Sequence, residues 1–216
     1  PAMLASLATG NAVIVKPHPT GILPMALSVR AARRVLAAAG FDPNLVTLAV
    51  DSPTEPLGKR LVEHPLTAIV DFTGSARFGA WVERHAHPAL CYTETSGVNT
   101  VLLESVHDLD AVARSLATTM QLFSAQMCTS PQNIYLPRGG IDVGGRRASV
   151  DEVCTALATA FRSVTAEPRR AASILATIQS PGTLDLIGTM RDAARQQGTI
   201  VVDSGPYEHP EYPAAR

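Results

Sequence analysis

Two side chains in this sequence have the chemistry to make and then break a thioester. Cys128 lies in Ser124-Ala125-Gln126-Met127-Cys128-Thr129, and Glu94 opens Glu94-Thr95-Ser96-Gly97-Val98-Asn99. A thiolate attacks a carbonyl carbon, and a carboxylate can take a proton from water. Between them runs a strand-like stretch, Thr100-Val101-Leu102-Leu103, and then a helix-like one over 108–123. A strand followed by a helix turns the chain back on itself, so the acid and the thiol could share one pocket. A third candidate is Asp71-Phe72-Thr73-Gly74-Ser75-Ala76. A strand running through Gly74 into a helix that starts at Ser75 leaves free N–H groups and the positive end of the helix dipole facing an anion.

The elements that must position these residues read as α/β. Ala12-Val13-Ile14-Val15 is a short apolar run suited to a strand buried on both faces, and Lys16-Pro17-His18-Pro19-Thr20 stops it. A helix is predicted over 23–39, with Leu23, Leu27, Ala31, Val35 and Ala38 on its apolar stripe and Gly40 ending it. A strand over 45–50, a short helix over 55–64 and a strand over 67–72 follow, then a helix over 75–87. Past Glu94 the pattern gives a strand over 98–103, a helix over 109–123 and a strand over 132–136. The stretch 138–149, with four glycines and three arginines, reads as a surface loop. Helices over 150–164 and 181–197, a strand over 199–203 and a proline-rich tail over 206–216 complete the reading.

Composition excludes several classes. Eighteen basic residues balance nineteen acidic ones, so nothing favours nucleic acid or an anionic membrane surface. No apolar run reaches the ~20 residues of a membrane-spanning helix. The three cysteines form no Cys-x-x-Cys pair, which suits a reducing, cytoplasmic compartment. His85 and His87 are two positions apart and do not face one another on a helix, and no acidic or cysteine cluster accompanies them, so no metal site is expected. Trp81 reads as helix core rather than a ligand contact.

Four stretches, in order, resemble motifs of the aldehyde dehydrogenase superfamily. Gly10-Asn11 through Lys16-Pro17 is similar to its GN-x-V-x-KP segment, and Phe72-Thr73-Gly74-Ser75 is identical to its FTGS turn. Glu94-Thr95-Ser96-Gly97 resembles its E-L-G-G box, with Thr95 and Ser96 departing from Leu-Gly. Gln126-Met127-Cys128-Thr129 resembles its GQ-x-C segment, and the interval from Glu94 to Cys128 also matches. The Lys16–Thr20 stretch, the Gly97-Val98-Asn99-Thr100 box and Gln126 through Asn133 most resemble the PaaN-type proteins of phenylacetate degradation.

The resemblance implies a fold and a set of roles. The fold would be the C-terminal part of a Rossmann-type NAD(P)-binding domain over 1–95, followed by the N-terminal part of an α/β catalytic domain over 96–216. The chain would then be a central portion of a longer protein, inactive alone, without the upstream asparagine of the oxyanion hole or the later E-x-F-G-P segment. Cys128 would be the nucleophile, with its own N–H one oxyanion donor, and Glu94 the base that hydrolyses the thioester. Lys16 would reach the adenosine ribose, and Gly74 and Ser75 the pyrophosphate. NAD-preferring members often carry a glutamate three residues after the lysine. Pro19 stands there, so NADP is expected to be preferred, with NAD possible. The substrate would be a small-molecule aldehyde from ring opening in phenylacetate catabolism, and the whole protein a homo-oligomer. Alternatives are a coenzyme A-acylating dehydrogenase, which Glu94 argues against, and a non-catalytic nucleotide-binding or assembly protein of the same fold.

Overall fold

The computed structural model describes residues 2–178, 181–208 and 211. The chain divides into two compact units, Pro1–Thr95 and Ser96–Arg216.

In the first unit a short helix, α1 (Ala2–Ala8), leads through a turn at Gly10 (φ +83°) into β1 (Val13–Val15). Helix α2 (Ile22–Ala38) then carries the chain to β2 (Val46–Leu48), which lies parallel to β1 in the register Val13↔Val46 to Val15↔Leu48. Gly40 ends α2 as expected. At φ +81° it takes the left-handed conformation, and the Phe41 N–H reaches back to the Leu36 carbonyl at 2.9 Å.

The buried face of α2 differs from the expected stripe. Val29 is buried, whereas Leu23 and Val35 are about 70% exposed. Apolar residues stand on most of the circumference outside the arc of Arg30, Arg33 and Arg34, so periodicity alone does not choose which of them is buried. Arg33 does: it donates to the Val46 carbonyl at 3.2 Å and to Asn44 Oδ1 at 2.8 Å, turning its own side of the helix onto β2. Nor is β1 covered on both faces, since Ile14 is 60% exposed.

The short helix α3 (Gly58–Val62) is narrower than expected, because the residues before it form a turn in which Glu55 donates to Ser52. Then come β3 (Ile69–Gly74), α4 (Ala76–His85) and β4 (Leu90–Thr95). Strand β4 was not foreseen. It pairs parallel with β3 over six residues, from Ile69↔Leu90 to Gly74↔Thr95. Its alternation of Leu90, Tyr92 and Glu94 with Cys91, Thr93 and Thr95 is a two-residue period in which polar and apolar types mix, so neither face stands out in sequence.

The second unit begins with β5 (Asn99–Leu102) and β6 (Ser105–Val106), followed by α5 (Leu109–Gln121), whose start is capped by Asp108. Strand β7 (Pro131–Tyr135) pairs parallel with β5, with a register shift between Asn99 and Thr100. The glycine-rich stretch read as a loop is a hairpin, β8 (Ile141–Val143) and β9 (Arg146–Ala148), closed by Gly144 and Gly145 at φ +58° and +87°. Two successive left-handed glycines make the tight turn that matches strand twist. Strand β8 also pairs parallel with β6.

Helix α6 (Val150–Ala166) opens on a capping box between Ser149 and Glu152. Helices α7 (Pro168–Ile174) and α8 (Pro181–Gln197) follow. One apolar cluster joins Ala113 and Ala117 of α5 to Ala160 and Val164 of α6 and Ile174 of α7. A second joins Leu103, Ile141, Ala148 and Val153.

The expected strand over 199–203 is absent: Val201 and Val202 are exposed, and the stretch is tied instead to α8 by Arg191, which pairs with Asp203 at 2.7 Å and donates to the Ser204 carbonyl. The chain bends at Val201 and Val202, and a run without a neighbouring strand has no ladder to join. Positions 209, 210 and 212–216 of the expected tail lie outside the described residues. Among the described residues, no helix is long and apolar enough to cross a membrane.

Candidate active site

In the first unit, two groups of predicted residues gather at the C-terminal ends of the parallel pairs. Glu94 stands opposite Thr73 in the β3–β4 register and is exposed, one step from the Gly74–Ser75 turn. Ser75 caps α4 by accepting the Phe78 N–H at 3.3 Å. Gly74 has a packing reason of its own: a Cβ there would come 2.6 Å from the Phe72 ring. Gly79 in the next turn likewise lets α4 settle on β4, since a Cβ would meet Thr95 at 2.5 Å. Behind the turn runs an aromatic column, Phe72, Phe78, Trp81 and His85, with ring separations of 5.3, 5.3 and 4.3 Å. Lys59 sits 5.2 Å over the Trp81 ring. Trp81 is thus half-buried and fully engaged, in keeping with a packing role.

Lys16 follows β1, and the structure gives it a partner that sequence reading missed. Its Nζ lies 2.8 Å from Asp51 Oδ1. The Asp51 carboxylate also accepts the Leu57 N–H at 2.9 Å through Oδ2. Lys16 holds the Asp51 carboxyl below its ordinary range, against burial that pushes it up, and the Leu57 bond adds to the lowering. Lys16, expected to reach the adenosine ribose, is therefore already ion-paired within the chain. Asp51 sits in Asp51-Ser52-Pro53, which reads as turn chemistry, and a partner so far away along the chain leaves no trace in local spacing.

In the second unit the Cys128 thiol is exposed, on the segment between α5 and β7. Phe123, Ser124 and Ala125 are all left-handed, at φ +52°, +55° and +60°, a run that L-residues adopt only when held there. The holding groups come from the last residue of α7 and the chain just past it. The Phe123 N–H donates to the Ile174 carbonyl at 2.7 Å. Ser124 Oγ donates to the Ala176 carbonyl at 2.7 Å and accepts the Ala176 N–H at 3.0 Å. Gln126 donates to the Phe123 carbonyl at 3.0 Å and to the Thr177 carbonyl at 3.1 Å.

On the other side of the thiol, Asn99 Nδ2 donates to the Cys128 carbonyl at 2.6 Å and the Ser130 carbonyl at 3.0 Å. Asn99 and Ser124 went unrecognised in sequence, where each is an ordinary polar residue. A shift in the β5–β7 register falls between Asn99 and Thr100, next to this contact. Cys91 and Cys154 are half-buried. Burial, and then the charge of Glu83, push the Cys91 thiol up, away from the reactive thiolate form.

The parallel pairs, the connecting helices and the anchored cysteine segment make this an α/β protein of aldehyde-dehydrogenase fold. Residues 2–213 match the aldehyde dehydrogenase family, and the chain belongs to it. It is similar to an NAD-dependent aldehyde dehydrogenase from Burkholderia multivorans of solved structure, with a TM-score of 0.89 and 48% identity, covering 100% of this chain and 38% of that one. It is 28% identical over 214 residues to 1-pyrroline-5-carboxylate dehydrogenase 2 of Bacillus subtilis, covering 92% of this chain and 38% of the relative. To 2-aminomuconic 6-semialdehyde dehydrogenase of a Pseudomonas species it is 24% identical over 203 residues, covering 93% of this chain and 39% of the relative. The chain therefore spans less than half the length of these relatives.

Proposed function

We propose that the whole protein oxidises an aldehyde to a carboxylic acid through a thioester on Cys128. The observation that carries this reading is the Cys128 segment itself, an exposed thiol whose main chain is pinned on both sides by Asn99 and by Ser124. Pinning of this kind lets a nucleophile meet a carbonyl carbon at a fixed angle. Cys128 Sγ adds to the aldehyde carbon and generates a tetrahedral alkoxide, which the Cys128 N–H helps to stabilise. NAD(P), when bound, accepts the hydride that this carbon loses. Glu94 then takes a proton from water, whose oxygen attacks the thioester carbon and expels the thiolate. A base retained for water favours a free acid over transfer to coenzyme A.

The donor set of the first unit suits a dinucleotide. The open N–H groups at the start of α4, beside Gly74 and Ser75, fit a pyrophosphate, and Lys16 fits the adenosine ribose. The name of the Burkholderia relative supports a nicotinamide cofactor here as well. The resemblance of the stretch from Gln126 to Asn133 to the PaaN-type proteins is what supports a substrate from phenylacetate ring opening.

The test is aldehyde-dependent reduction of NAD or NADP by the whole protein, beside Cys128→Ser and Glu94→Gln. Loss of turnover in Cys128→Ser, with Glu94→Gln retaining a single burst of reduction and little steady-state rate, is the expected pattern. Undiminished turnover in Cys128→Ser would overturn the reading.

A further inference from the structure

The C-terminal ends of β1 and β2 lie side by side, with Val15 opposite Leu48 and one more bond from the Ala49 N–H to the Val15 carbonyl at 2.9 Å. Lys16 leaves the first strand at this edge, and Asp51 leaves the second two residues beyond Ala49. The pairing at 2.8 Å is lopsided in exposure: the Asp51 side chain is 2% exposed and that of Lys16 is 28%. The carboxylate is also clamped from behind by the Leu57 N–H, so it cannot swing away from the ammonium. The ammonium meets Asp51 as an ion pair and carries N–H donors for whatever meets this edge.

We propose that Asp51 sets the choice of dinucleotide by acting on Lys16. It orients the Lys16 ammonium as a hydrogen-bond donor to uncharged ribose hydroxyls and cancels the positive charge that a 2′-phosphate would need, so NAD binds ahead of NADP. The inference rests on the reading of this strand edge as the adenosine end of a dinucleotide site. A 2′-phosphate carries close to two negative charges, and at this edge it faces a pair of zero net charge with a fixed carboxylate close behind. Ribose hydroxyls, which accept and donate without charge, meet no such opposition. Asp51 is a positioning residue: its burial keeps it from solvent, and it works through Lys16.

Equilibrium binding tests this without turnover. Calorimetric titration of the whole protein with NAD and with NADP is expected to give a dissociation constant at least tenfold lower for NAD. In Asp51→Asn, which keeps an acceptor for the Leu57 N–H but frees the Lys16 charge, that ratio is expected to shrink tenfold or more through tighter NADP binding. NADP binding should also become steeper in its salt dependence. Wild-type protein that binds NADP as tightly as NAD, or an Asp51→Asn variant that alters both alike, would overturn the proposal. Folded wild-type protein that binds neither dinucleotide would instead overturn the underlying site assignment, and the proposal with it. A measurement on wild-type protein alone guards against a variant that fails to fold. Adenosine 2′,5′-bisphosphate should bind no more tightly than adenosine 5′-monophosphate, and a gain above threefold would refute the neutral pair.

Discussion

The side-chain amide of Asn99 donates to the main-chain carbonyl of Cys128 at 2.6 Å, so the residue at the start of β5 holds the Cys128 segment by its backbone. The same amide reaches the Ser130 carbonyl at 3.0 Å. Asn99→Ala removes both bonds. It is expected to cost about 1–2 kcal/mol in denaturant unfolding. Because a nucleophile displaced by about 1 Å can lose roughly 10²-fold in rate, turnover of the whole protein should fall on that order. Asn99→Asp cannot donate and should behave like the alanine variant. An Asn99→Ala protein with full activity would show that the Cys128 segment holds its own shape.

Ala125 stands at φ +60° between Ser124 and Gln126. Left-handed backbone costs an L-residue roughly 1–2 kcal/mol, and glycine returns about half of that as extra freedom in the unfolded chain. Ala125→Gly is therefore expected to stabilise the protein by about 0.5–1 kcal/mol, read as a raised urea midpoint. Ser124→Ala should do the opposite, by about 1–2 kcal/mol, since it breaks both bonds to Ala176.

The three thiols should separate by reactivity. Cys128 is exposed, and Cys91 is pushed up by burial and by Glu83. Iodoacetamide near neutral pH is expected to label Cys128 at least about tenfold faster than Cys91, as peptide mapping would show. Since the folded Cys91 thiol ionises later than the unfolded one, its share of stability is present below the unfolded thiol's value of about 8.5 and declines as pH rises above it. Cys91→Ser should flatten that alkaline decline. Equal labelling of the two thiols would contradict the burial of Cys91.

Asp51 works in the other direction. Its carboxyl is held low by Lys16, so its stabilising contribution is present above the unfolded value of about 3.9 and is lost as pH falls through the lower folded value. Urea unfolding is expected to show wild type more stable than Asp51→Asn at pH 7, with the gap closing below about pH 4. A gap that stays constant down to pH 2 would mean that the ion pair contributes nothing.

Two glycines of the hairpin region should respond unequally. A Cβ on Gly140 would fall 2.0 Å from the Ala148 carbonyl oxygen, at φ +84°, whereas one on Gly145, at φ +87°, meets nothing within 4 Å. Gly140→Ala is expected to cost about 3 kcal/mol or more, and Gly145→Ala about 1–2. Similar thermal shifts for the two would show that the hairpin yields to the intruding methyl.

What could be read ahead of the structure was local. Gly40 ends α2, Ser75 caps α4, and two prolines stop β1, each because one residue's own backbone preference or side-chain reach decides the outcome within a turn. The order of strands and helices from β1 through α4 followed from the same signals, while α1 was not foreseen. The hairpin was legible in principle, since Gly144-Gly145 is strong turn chemistry, but the surrounding glycines and arginines read as loop. Strand β4 was hidden by the mixture of polar and apolar types on both its faces.

The sequence by itself determined where the chain turns and which residues carry reactive groups, because φ preference, capping and side-chain chemistry belong to single residues and their near neighbours. Only the tertiary structure decided which face of α2 is buried, that Lys16 is held by Asp51, and that Cys128 is pinned by Asn99 and the stretch from Ile174 to Thr177. Those choices are made by parallel strand pairing and helix packing, which bring together residues tens of positions apart, and no local period records the partner.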